Sequence, residues 1–205
     1  MLELVIAFTY FFRDQQTLEL AVKVLVPRVL GKQKIKIWDA GCAMGPEPFT
    51  LAILLAENLG NFAFKNLHID ATDIDRSNQF EDIITNGIYP YKQLKRIPKD
   101  IFQKYFSQTD DPAEYQIAYK IRNSIDYTKH DLLTLEPPDD KYDLILCKNV
   151  LLHLKYSERI QVLEMFHRAL GNQGVLTLEQ TQKLPREVKS HFSRVKSNAQ
   201  IFEKR

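Results

Sequence analysis

Three acids and two glycines in this chain are spaced to hold a nucleoside. Gly41 and Gly45 frame a turn, G-x-x-x-G, between a short β-branched and aromatic run at 35–39 and a segment opening at Pro46, a favoured first residue of a helix. A glycine there permits close backbone approach, and a helix start offers free N–H groups. A dinucleotide fingerprint would read G-x-G-x-x-G, with pyrophosphate at the helix start. Here that spacing is missing, and Glu47 in the first helical turn would repel a pyrophosphate while suiting an amine or a sulfonium. Asp73 closes a second apolar run and can accept from both hydroxyls of a ribose. Asp131 closes a third and can accept from an adenine amino group. Either acid alone reads as a helix N-cap. Together, on successive strand ends behind a glycine loop, they describe a nucleoside site without a phosphate clamp, which S-adenosylmethionine satisfies.

Those residues need a scaffold that brings strand ends together, and the apolar pattern supplies one. Helical spacing of Leu18, Ala21, Val22, Leu25 and Val29 is stopped by Gly31. Strands are expected at 35–39, 67–74, 125–130, 142–147, 174–179 and 201–204, with an edge strand at 115–121. Helices are expected to about residue 59, over 77–86, over 98–106, from a Ser157 cap to residue 170, and briefly at 185–191, with a turn at 87–90. Such alternation specifies a mostly parallel, doubly wound α/β sheet with helices on both faces and a ligand at the strands' carboxyl ends.

Composition narrows the classes. With 205 residues, 44% hydrophobic and 26% charged, the chain can bury a core without disulfides or metal. The first apolar stretch, 2–12, is interrupted by Glu3, is too short to span a bilayer and follows no basic segment, so neither anchor nor signal peptide is expected. Cys42 and Cys147 are far apart and the histidines lack ligand spacing, so no metal is expected, and a reducing cytoplasm is the default. Net charge is +2. Residues 183–205 carry seven basic side chains against Glu187 and Glu203, which reads as a solvated face, and no nucleic-acid partner is expected. Phe11-Phe12 reads as core or cofactor cover, for want of the basic groove a base-stacking platform needs.

Beyond this chemistry, the sequence resembles a known family. Thr9-Tyr10-Phe11-Phe12-Arg13-Asp14, Ala40-Gly41-Cys42-Ala43-Met44-Gly45-Pro46-Glu47-Pro48-Phe49, Thr72-Asp73-Ile74-Asp75, Asn86-Gly87-Ile88-Tyr89, His130-Asp131-Leu132-Leu133, Cys147-Lys148-Asn149-Val150 and Ser197-Asn198-Ala199-Gln200-Ile201-Phe202 occur in one order. That order is similar to the methyltransferase domain of the CheR-type chemotaxis-receptor glutamate methyltransferases, over nearly the whole chain. The resemblance implies a Rossmann-like class I methyltransferase fold with a seven-stranded sheet. It implies a single domain over 1–205, with a small antiparallel β insertion at 107–127. It implies S-adenosylmethionine as cofactor, held by Thr9, Arg13, Ala40, Gly41, Glu47, Asp73, Ile74, Asp131, Leu132, Lys148 and Asn149. Arg13 would position the acceptor, a carboxylate on a receptor-like protein, or the cofactor's own carboxylate, and His153, in the place of a family tyrosine, is the second catalytic candidate.

Some positions depart from the family. Arg-Asn-Val is replaced by Lys148-Asn149-Val150, which keeps the charge and loses the bidentate fork. A tyrosine is replaced by His153, which can shape the acceptor pocket or serve as a base. Gly-His-Ser-Glu is replaced by Leu178-Glu179-Gln180-Thr181. A helical receptor-recognition domain precedes T-x-F-F-R in the family and has no counterpart ahead of Thr9 here. These departures leave two alternatives open, a small-molecule carboxylate or hydroxyl as acceptor and a cofactor-binding protein without transfer activity.

Overall fold

Alternation along each central strand sorts the core into two layers. In β1 (Ile35–Ala40), Ile35 and Ile37 enter one hydrophobic cluster while Trp38 and Ala40 enter the other. In β7 (Tyr142–Cys147), Leu144 and Leu146 join the first cluster, and Tyr142, Ile145 and Cys147 the second. Strands apolar on both faces must be covered on both. The helices α1 (Gln15–Val29) and α2 (Pro46–Phe64) cover the first face, and α7 (Tyr156–Ala169) the second. Each fully buried aliphatic or aromatic side chain contributes about 1.5–3 kcal/mol to holding these layers.

The computed structural model describes residues 9–205, so 1–8, including most of the apolar stretch at 2–12, lie outside the described residues. Five strands run parallel: β6 (Ile125–Lys129), β2 (Leu67–Asp73), β1, β7 and β8 (Leu170–Leu178). The sheet is completed by β10 (Ile201–Lys204), antiparallel to both β8 and the edge strand β9 (Phe192–Arg194). The order β6-β2-β1-β7-β8-β10-β9 reverses direction between β1 and β7, and that switch point opens a crevice at the strands' carboxyl ends. No helix among the described residues is long and apolar enough to cross a membrane.

A second antiparallel sheet, order β3-β5-β4, lies between α3 (Phe80–Asn86) and β6 in the chain. It consists of β3 (Ile88–Pro90), β4 (Phe106–Gln108) and β5 (Glu114–Ile117). The expected insertion at 107–127 therefore starts too late and ends too late. Residues 87–90 read as a turn because of Gly87 and Pro90, yet Pro90 is tolerated on an edge strand. Residues 119–122 form a helical turn instead of continuing an edge strand, and Ile125–Lys129 belongs to the main sheet beside β2. Two links fasten the small sheet. Phe11, fully buried, packs edge-on against Tyr89 and Phe106 with centroids 5.0 and 5.7 Å apart, which makes it core. Tyr89 donates to the Met44 carbonyl at 2.6 Å, tying β3 to the glycine turn.

Helix boundaries also moved. α2 continues to Phe64 across a kink at Gly60 (φ 71°, ψ 164°). α3 begins only at Phe80, because Asp75 (φ 30°) and Asn78 (φ 54°) keep the preceding residues in turns. α7 starts at Tyr156, capped by Glu158, which accepts from the Lys155 N–H at 2.8 Å, and not by Ser157.

Candidate active site

The turn after β1 is a folded corner built on β2. Gly41 and Cys42 donate their N–H groups to the Thr72 carbonyl at 2.8 and 3.0 Å. Gly41 has φ +106°, and a Cβ there would lie 2.1 Å from Val150 Cγ2. Only glycine lets the two loops close on each other here. Asp73, at the end of β2, accepts from Ala43 N at 2.9 Å and from Asp75 N at 3.1 Å. The carboxylate thus clamps the glycine turn and keeps lone pairs for a ligand.

Glu47 follows Pro46 in the first turn of α2, and its side chain is 11% exposed. Lys148, just past β7, is wholly buried, with Nζ 3.0 Å from Glu47 Oε2 and 3.4 Å from Asp14 Oδ2. Burial raises the Glu47 carboxyl above the usual range, and the adjacent Lys148 cation opposes the rise. Behind them sits Asp39 in β1, fully buried with neither oxygen hydrogen-bonded among the described residues. Burial, then the Glu47 charge, push it well above the ordinary carboxylate value, and the Lys148 cation opposes the rise.

Across from Glu47, Arg13 Nη2 donates to Asn149 Oδ1 at 3.0 Å. Asn149 occupies the left-handed region (φ 59°), and its N–H donates to Glu179 Oε2 at 3.2 Å. His153 ends the 3-10 turn Leu151–His153 and donates its N–H to the Val150 carbonyl at 2.9 Å. On the far side, Asp131 accepts from Leu133 N at 2.9 Å, capping the turn Leu132–Thr134. Asp131 is therefore an N-cap and a cavity residue at once.

These groups surround one open cavity of about 840 Å³, ordinary for a small-molecule site. Thr9, Arg13, Gly41, Glu47, Asp73, Ile74, Asp131, Leu132, Lys148, Asn149 and His153 all border it. Ala40 does not: its methyl points into the cluster under α7, because it shares the β1 face of Trp38. Two contributors escaped the sequence reading: Asp14, whose carboxylate lies 3.4 Å from Lys148 Nζ, and Glu179, which accepts from the Asn149 N–H. His130, at the strand end beside Asp131, borders the cavity with its ring 5.8 Å from Trp38. Burial lowers its pKa, so the ring is neutral. Among the described residues no cluster of acids, histidines and cysteines could hold a metal.

The donor set fits S-adenosylmethionine. One wall is a glycine corner with no side chain, Asp73 and Asp131 offer acceptors on neighbouring strand ends, and Glu47 is a shielded anion for an ammonium group. Nothing in that wall resembles a phosphate cradle, since the helix-start N–H groups are faced by Glu47.

Comparison with known proteins agrees with this geometry. A model described as "CheR methyltransferase, SAM binding domain" matches residues 7–201. The chemotaxis protein methyltransferase of Listeria monocytogenes is 30% identical over 85% of this chain and 64% of its own length. That of Borreliella burgdorferi is 30% identical over 86% of this chain and 64% of its own. An uncharacterised 104.1 kDa protein of Rhodobacter capsulatus is 30% identical over 98% of this chain, which covers 21% of that protein. The chain thus spans less than two thirds of the length of these curated relatives. Among solved structures, the magnesium protoporphyrin IX methyltransferase of Synechocystis, crystallised with bound SAM, shares the fold: TM-score 0.53 and 17% identity over 93% of this chain and 78% of that one. With sheet order, cavity and nearly all of the chain in agreement, the protein belongs to the family of CheR methyltransferase SAM-binding domains.

Proposed function

We propose that residues 1–205 act as one methyltransferase domain that binds S-adenosylmethionine and methylates a carboxylate, specifically a glutamate side chain of a receptor-like protein in chemotaxis-type signalling. The carrying observation is the pairing, in one cavity, of a nucleoside wall (Gly41, Asp73, Asp131) with a cationic wall of Arg13 held by Asn149. The names of the chemotaxis methyltransferase relatives support the acceptor class. Cytoplasmic residence belongs to the same proposal and is supported by the unpaired, buried Cys42 and Cys147.

When bound, S-adenosylmethionine supplies an electrophilic methyl group on sulfonium sulfur. Glu47 would hold the amine end of that ligand through charge, Asp73 its ribose hydroxyls and Asp131 its adenine amino group through hydrogen bonds. Arg13 orients an anionic acceptor, and the Asn149 side chain restrains the guanidinium. A glutamate carboxyl, with a reference pKa of about 4.3, is already ionised at neutral pH, so the residues need only position and partly desolvate it. His153 borders the acceptor side as a shape-determining group.

Calorimetry with S-adenosylhomocysteine is the first test. Binding should be measurable, and Asp73→Ala should weaken it at least about tenfold, as expected for losing charge-assisted hydrogen bonds. Binding undiminished in that variant refutes the cofactor wall. Radiolabelled methyl transfer into a cell lysate then sorts the acceptors. Alkali-labile label in protein supports a glutamyl ester, label only in small molecules moves the acceptor class, and no label with intact binding leaves a cofactor-binding protein.

A further inference from the structure

Glu179 lies in the stretch Leu178-Glu179-Gln180-Thr181 that replaces the family's Gly-His-Ser-Glu, and beyond its contact with Asn149 the site described so far gives it no role. It is 6% exposed, and its Oε1 has no hydrogen-bond partner among the described residues. A buried carboxyl with half its acceptors idle is costly, so its one strong contact needs a reason. That contact is with the Asn149 N–H, accepted by Oε2 at 3.2 Å. Asn149 is strained, in the left-handed region at φ 59°. Its side chain in turn receives Arg13 Nη2 at 3.0 Å.

Sheet register explains how the three meet. Cys147 of β7 pairs with Leu178 of β8, so the chains leave the sheet level with each other, and Lys148-Asn149 emerges beside Glu179. Glu179 is itself anchored. Its carbonyl accepts from Gln182 N at 3.0 Å, and Leu178 N before it donates to the Gln200 carbonyl at 2.9 Å. One fixed carboxyl thus holds the backbone of a strained residue whose side chain holds a cavity-wall guanidinium.

We propose that Glu179 is a positioning residue for the acceptor side: it fixes Asn149 in its left-handed conformation and, through Asn149, sets Arg13 in the cavity wall. This deepens the methyltransferase reading and rests on it for the kinetic consequence, while the positioning itself is measurable without any reaction. A merely structural Glu179 would affect stability first. A positioning Glu179 should instead trade stability for geometry, because replacing a buried, half-satisfied carboxyl by a methionine of similar volume removes a desolvation cost.

Two variants decide it. Glu179→Met has no acceptor for the Asn149 N–H, whereas Glu179→Gln keeps one in its amide oxygen. In the cofactor-free chain, amide exchange at Asn149 should quicken about tenfold or more in Glu179→Met and the Arg13 Nε–H resonance should move, with β1 and β2 amides unchanged. Glu179→Gln should return both to wild-type behaviour. With a carboxylate acceptor, Glu179→Met should raise the acceptor KM about tenfold with a smaller change in kcat and a melting temperature no lower than wild type. Unchanged exchange at Asn149 in Glu179→Met, or failure of Glu179→Gln to restore it, overturns the proposal. Wild-type exchange behaviour as expected, but no methyl transfer by any variant, would instead refute the functional reading alone.

Discussion

Removing Lys148 should make stability depend on pH in a direction set by Glu47. In Lys148→Met the wholly buried Nζ, 3.0 Å from Glu47 Oε2 and 3.4 Å from Asp14 Oδ2, is replaced by an apolar end of similar length. At an effective dielectric of about 20, a 3.0 Å contact is worth about 5 kcal/mol gross. Desolvation of both partners cancels much of it in the intact pair, but deleting one partner strands the other, at a cost of about 3–5 kcal/mol. Asp14, with its side chain 35% exposed, adds little because water screens it. Glu47 already lies above the ordinary range through burial, and losing the cation raises it further. A carboxyl raised in the folded state contributes stability that is complete below its unfolded value, about 4.3, and is lost as pH rises through the folded value. The deficit of Lys148→Met should therefore be small near pH 4.5 and approach the full 3–5 kcal/mol, on the order of half of a typical domain's stability, near pH 8. Urea denaturation of both proteins at the two pH values measures it. Carboxyls held low elsewhere, such as Glu57 beside Lys104 and Asp139 beside Lys36, titrate alike in both and cancel. An equal deficit at both pH values would refute the assignment of Lys148 as the counterion of Glu47.

Gly41→Ala combines a positive φ of +106° with a Cβ 2.1 Å from Val150 Cγ2, two penalties of about 1–3 kcal/mol each, so its melting temperature should fall. Val150→Ala in the same chain should recover the contact part and leave the backbone part, and thermal scans that show no loss in Gly41→Ala would contradict the close approach. His153→Phe should raise the acceptor KM and leave the shape of the pH–rate profile unchanged, as a pocket-shaping group would. An acidic limb present in wild type and absent from the variant would make His153 a base instead.

What the sequence displays most openly is face and end. Period-two alternation in Ile35–Ala40 and over 144–147 assigns each buried side chain to its layer before any packing is known, Tyr142 being set off by the register shift before Leu144, and the same alternation excludes Ala40 from the cavity, since it follows Trp38 by two. Acids after apolar runs mark strand ends, which is why Asp73 and Asp131 were legible. The small sheet was bounded wrongly because three- and four-residue strands leave almost no periodicity, and Gly87 and Pro90 punctuate β3 like a turn. Positive-φ residues such as Asp75 and Asn78 likewise shortened α3 without a composition signal.

Partnership between side chains is legible only once the order of strands is known. Nothing in the run from Leu144 to Asn149 says which loops it will meet. Because β7 lies between β1 and β8, the loop leaving it has two neighbours at the same height. Lys148 meets Glu47 from the β1 side and Asn149 meets Glu179 from the β8 side, one residue apart. Lys148 sends its side chain to Glu47, while Asn149 offers its backbone N–H to Glu179 and its side chain to Arg13, so a loop leaving a central strand at the switch point reaches both neighbours. The two departures from the family in this region, Lys148 and Glu179, thus stand on either side of a single loop. One lies 3.0 Å from Glu47 Oε2, and the other accepts from the N–H of Asn149, whose side chain receives Arg13. A change at Lys148 should therefore reach the cavity through Glu47, and a change at Glu179 through Asn149 and Arg13, so that the one loop leaving β7 carries both routes.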